Sequence, residues 1–224
     1  MDILLYIIPV VLVFGAQMIV TSTYNKYKSV PNKKSLTGSE VARKILDKNN
    51  YTDVHVVETK GKMSDHYDPR RKTVRLSSEV YHDATISAVS IAAHECGHVI
   101  QHKNKYAPMT IRHAIVPVVN FASRIGYVVL IIGLIASAFK LATWGIVLLC
   151  ATLLFQLITL PVEFNASKRA IKALEENKLI EKSEKDRVSA MLTAAALTYV
   201  ASLVANAFEI LRLFLMVSVN RNRD

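Results

Sequence analysis

Residues 125–160, IGYVVLIIGLIASAFKLATWGIVLLCATLLFQLITL, contain one charged side chain, Lys140, near the middle. A helix takes about 20 apolar residues to cross a hydrocarbon core, so this stretch has room for two spans joined by a tight turn. The block Ile3–Val20 is long enough for one more span. Asp2 stands where a secretory signal would be basic, and no small-x-small cleavage pattern follows, so the block reads as a retained anchor. The block Val188–Val219 is also apolar but carries Glu209 and Arg212, three residues apart on one helical face. Isolated charges are expensive in lipid, so these two are expected to pair or to face the protein interior. With half of all residues hydrophobic and gathered in blocks, the chain reads as a mainly α, multi-pass membrane protein.

The formal charge of +10 follows the same division. Of 28 Lys and Arg, 16 lie between Thr23 and Val116 and 7 between Pro161 and Ala190. Basic loops stay on the cytoplasmic side, which places both segments inside and the N-terminus and Lys140 outside, although Arg221 and Arg223 would then run against the rule. Acidic residues are interspersed with the basic ones, so no nucleic-acid surface is expected. The expected order is a transmembrane anchor at 1–22, a cytoplasmic segment at 23–116, a transmembrane hairpin at 117–160, a helical segment at 161–187 and a transmembrane helix at 188–219. Cys96 and Cys150 offer no disulfide framework, and a reducing compartment suits them.

Within the first polar segment, Ser35-Leu36-Thr37-Gly38-Ser39-Glu40 leads into an amphipathic helix ending near Asn49-Asn50. Val54–Glu58 and Lys72–Leu76 read as strands, with a turn at Lys60-Gly61-Lys62 and a polar loop at Asp65-His66-Tyr67-Asp68-Pro69. The edge of such a small sheet can bind extended polypeptide through main-chain pairing.

The sheet leads into His94-Glu95-Cys96-Gly97-His98. On a helix, residues four apart share a face, so His94 and His98 can turn ring nitrogens toward one ion, and Glu95 can reach water beside it. Zinc acidifies such water toward a pKa of ~7, and a nearby carboxylate can take its proton. Cys96 should point away from the ion. A catalytic zinc usually has three protein ligands, which leaves one to find. His102 lies about 12 Å along the helix from His94, too far to share an ion. Gln101 and Asn104 stand where an extended motif would place Gly and His. His113, on a separate segment, stays a candidate. Glu163 is the stronger one: it follows Pro161 at a helix start, and two spans return it to the side of His98. Ala166, Ser167 and Ala170 would let its helix approach closely. Its other reading is a helix-capping carboxylate.

Three stretches taken together, Asp65–Pro69, Ala92–Gln101 and Leu160–Ser167, resemble the bacterial YugP-like family of membrane-bound neutral zinc metallopeptidases, and the resemblance covers nearly the whole chain. A more distant similarity is to HtpX-type and CAAX prenyl proteases, whose Glu-aromatic-x-Ala-Asp pattern is matched by Glu163-Phe164-Asn165-Ala166, with Ser167 in place of the aspartate. The resemblance implies a gluzincin-like metalloprotease domain, Zn2+ held by His94, His98 and Glu163, and Glu95 as catalytic base, but it does not supply a substrate; a position beside the bilayer suggests polypeptide or membrane-protein substrates. His66, Arg169 and Tyr199 are unranked candidates for an oxyanion donor. The rival readings are an intramembrane site-2-type protease, disfavoured by the charged motif segment and the lack of a Leu-Asp-Gly motif, a non-catalytic zinc scaffold or sensor, and a transporter. Oligomeric state is not legible in the sequence.

Overall fold

The computed structural model describes residues 2–221, so Arg223 lies outside the described residues. In chain order the elements are α1 (Asp2–Tyr27), α2 (Gly38–Lys48), β1 (His55–Thr59), β2 (His66–Asp68), β3 (Thr73–Ser77), α3 (Ser78–His82), α4 (Ile86–Lys103), α5 (Ala107–Ile135), α6 (Phe139–Glu176), a 3-10 turn (Lys182–Glu184) and α7 (Lys185–Arg221). Among the described residues four helical stretches, Ile3–Tyr27, Ala107–Ile135, Phe139–Glu176 and Lys182–Val219, are long and apolar enough to cross a membrane. The chain divides into two compact units. One holds the residues up to Gln17, Ala107–Pro161 and those from Thr198 on; the other holds Met18–Tyr106 and Val162–Leu197.

In the apolar unit, α5 and α6 follow one another as a hairpin. Its turn lies at residues 136–138, where Ala138 N–H donates to the Gly133 carbonyl. The first arm starts at Ala107, with Pro108 in the first turn, where a missing N–H costs no helical bond. A Cβ on Gly133 would lie 2.4 Å from Ala142 N, and one on Gly145 would lie 2.5 Å from Leu130 N. The two helix backbones are therefore in contact, the packing that small residues permit where lipid removes the hydrophobic drive. Leu130, Ala142, Ile146 and Leu149 build a core with Leu213 and Val217 of α7. The Asn206 amide donates to Thr152 Oγ1 at 2.9 Å and Gln156 Oε1 at 3.0 Å. Arg212 pairs with Glu209, as expected, and its guanidinium sits 4.3 Å from the ring centroid of Tyr6.

In the second unit, Thr37 caps α2 with a full capping box closed by Glu40, and Val41, Ala42, Ile45 and Leu46 give α2 a wholly buried face. The sheet order is β1-β3-β2, with β1 parallel and β2 antiparallel to β3. The loop expected at residues 65–69 thus contains a short edge strand. A parallel pair needs a long crossover, and the crossover between β1 and β3 is used to pair β2 on the far side of β3. The sheet leads through α3 to Thr85, whose hydroxyl accepts from Ala88 N–H and starts α4. Almost all of α4 is buried, including its polar Ser90, Glu95, His98 and Gln101.

Pro161, expected at a helix start, lies inside a helix. It starts no new helix, because α6 runs unbroken from Phe139 to Glu176 with Pro161 inside it. Proline is tolerated in helices of this kind where neighbouring groups take up the freed carbonyl.

Candidate metal centre

The helical period brings His94 and His98 to one face of α4, with their rings 4.8 Å apart and nearly perpendicular. Glu163 reaches them from α6. Its Oε2 lies 3.3 Å from His94 Nε2 and 3.6 Å from His98 Nε2, and one ligand atom from each residue falls within 4.8 Å of the others. Donors bound to one tetrahedral zinc at ~2.0–2.2 Å are themselves about 3.3–3.6 Å apart, the spacing that Glu163 Oε2 keeps from both imidazoles. Glu163 is 2% exposed and His98 9%, a degree of burial at which a carboxylate and an imidazole call for a shared partner.

Gly97 is what lets α6 come so close. A Cβ there would lie 2.4 Å from the Ala166 carbonyl oxygen, so the two backbones touch at that point. Small residues on the face of Glu163 were expected to permit this approach, and Ala166 and Ala170 are fully buried in it.

The outer nitrogen of each imidazole is also held. His98 Nδ1 lies 3.0 Å from Gln101 Oε1, and His94 Nδ1 lies 3.2 Å from Ser167 Oγ. Metal-binding histidines usually have their second nitrogen engaged in this way, which fixes ring orientation. Burial lowers the pKa of His98, but the carboxylates of Glu163 and Glu95 raise it more, leaving it above the ordinary imidazole value. The centre is therefore disposed to hold positive charge.

Glu95, the next residue along α4, is 7% exposed. Cys96 is fully buried, and its thiol points to the Ala42 carbonyl at 3.7 Å. Burial first, and Glu95 second, push its pKa up, so it stays a thiol and packs rather than ligates. His102 is away from the cluster, its Nδ1 2.9 Å from the Tyr67 hydroxyl. His113 lies in α5 of the apolar unit and is not among the clustered donors. Of the three oxyanion candidates, His66 is exposed with Nδ1 donating to the Ser64 carbonyl. Arg169 donates from Nε to Asn165 Oδ1 at 2.6 Å, and Tyr199 lies in α7. Gln101 and Asn165 were not singled out as site residues in the sequence. The one signal for Gln101 was its position three residues after His98, on the same helical face.

Residues 2–218 match the family described as "Putative neutral zinc metallopeptidase". The chain is 46% identical over 207 residues to the "Putative membrane protease YugP" of Bacillus subtilis (strain 168), covering 92% of each. No solved structure matches. Zinc is the metal that the family's description names, and the donor set fits it. With a relative this similar and a match of this length, the chain belongs to the neutral zinc metallopeptidase family.

Proposed function

We propose that the protein is a membrane-bound zinc metalloendopeptidase in which His94, His98 and Glu163 hold the metal and Glu95 is the general base. The convergence of those three ligand atoms within 4.8 Å carries the reading. Three protein donors are the usual number in catalytic zinc sites, whereas structural sites take four, which favours an enzyme over a scaffold.

Zinc bound there polarises the scissile carbonyl and acidifies water. Glu95 takes the proton of the attacking water and later delivers it to the leaving amine. His94 and His98 contribute neutral imidazoles whose outer nitrogens are engaged by Ser167 and Gln101. Glu163 contributes a negative charge that offsets part of the charge of the ion.

The test is zinc content and casein cleavage of the full chain purified in detergent. About one zinc per chain is expected. A strong chelator should abolish cleavage and zinc should restore it; cleavage indifferent to the chelator would sink the proposal.

The active site is further proposed to lie at the cytoplasmic membrane surface, acting on membrane proteins or loosely folded polypeptides. The support is the charge distribution, with 23 of 28 Lys and Arg in the two segments that supply the site. A cysteine placed at exposed Lys62, in a chain with Cys96 and Cys150 replaced by Ala, should resist a membrane-impermeant thiol reagent in intact cells and react after lysis. Labelling in intact cells would reverse the topology. Faster cleavage of soluble folded proteins than of membrane-embedded or unfolded ones would exclude the proposed substrates.

A further inference from the structure

We infer that Gln101 is a positioning residue of the metal centre, fixing the proton on His98 Nδ1 and leaving the Nε2 lone pair for the metal, and that the ligand-bearing helix α6 holds it there. The inference rests on the proposed metal centre.

A neutral imidazole has one N–H and one lone pair, and the hydrogen bond on one nitrogen decides the role of the other. Gln101 is completely buried. Its Nε2 lies 2.8 Å from the Val162 carbonyl, which can only accept, and 3.0 Å from Asn165 Oδ1. That Asn165 atom also receives Arg169 Nε at 2.6 Å, and a guanidinium can only donate. The polarity of the chain is therefore set at both ends. The Gln101 NH2 group must face α6 and its Oε1 must face His98, 3.0 Å from Nδ1. Oε1 accepts there, so Nδ1 carries the hydrogen and Nε2, on the side of Glu163, is the nitrogen left for the metal.

A consequence follows from where the anchors lie. Val162 and Asn165 flank Glu163 on α6, so one stretch of helix supplies the third ligand and the anchor of the residue that orients the second. A shift of α6 against α4 would withdraw Glu163 and release Gln101 together. Both therefore depend on the same contact of α6 with α4. Ser167, also on α6, ties His94 to the same condition.

The test is the affinity of the detergent-purified full chain for zinc alone, by chelator competition, with thermal unfolding of each metal-free variant alongside. Gln101→Met keeps the length and removes both ends of the relay; it is expected to weaken zinc binding by about 10–100-fold, the usual cost of removing such a partner. Asn165→Leu should weaken it by about tenfold. Asn165→Asp keeps an acceptor for both Gln101 and Arg169 and should bind within about twofold of the parent. A merely structural role would not distinguish Asp from Leu at equal thermal stability. If wild type binds one zinc and Gln101→Met binds it as tightly, the inference is overturned while the metal centre stands. If Gln101→Met does not fold, the Asn165 pair decides, and equal affinities for Leu and Asp overturn it. If wild type binds zinc no better than Glu163→Ala, the metal centre itself is wrong.

Discussion

Glu95→Gln is expected to retain about one zinc per chain and to lose peptide cleavage by about 10²–10⁴-fold, the contribution of a well-placed general base. The two side chains have nearly the same volume, so burial of the residue is preserved, and the amide cannot take a proton from water. The proposed metal donors His94, His98 and Glu163 are untouched by the change. Metal content and casein cleavage measured side by side on wild type and variant decide the matter. Equal cleavage would remove Glu95 from the mechanism. Loss of zinc together with cleavage would make Glu95 a structural or ligating group instead.

The second large effect is expected at a residue with no chemistry. In Gly97→Ala the new Cβ would stand 2.4 Å from the Ala166 carbonyl oxygen, 3.0 Å from its carbon and 3.2 Å from its Cα. These are backbone atoms that no rotamer change can move, and ordinary contact begins near 3.4 Å. Helix α6 must therefore retreat by about an ångström, at a cost of roughly 1–3 kcal/mol for overpacking. Glu163 lies one turn before Ala166 and moves with it, so donors now 3.3 and 3.6 Å from the two imidazoles separate. Zinc content well below one per chain and near-complete loss of cleavage are expected, with helix content by circular dichroism largely kept. Cys96→Ala is the control: it removes packing beside Ala42 on the other side of α4 and should lower thermal stability while keeping zinc. A Gly97→Ala protein with full zinc and full activity would show that the backbone contact does not position Glu163.

Much of this protein could be read from the chain alone because the signals are local. Apolar blocks report lipid-facing helices irrespective of what they pack against, and a four-residue spacing puts His94 and His98 on one face of any α-helix. Thr37 and Glu40 marked a helix start through bonds that close within one turn. Other features needed contacts distant in sequence. The segment 66–68 carries no strand pattern of its own and becomes β2 only because β3 offers it an edge. Pro161 argued for a helix start, yet the helix continues through it in its tertiary setting. Glu163 could be ranked in sequence but not joined to the histidines 65 and 69 residues before it, and Gln101 and Asn165 gave no sign of acting together. Periodicity and composition fix which residues share a helix face. Which two helix faces meet is decided by close packing at points such as Gly97 against Ala166, and that contact brings two histidines and a distant glutamate to where they could hold one ion.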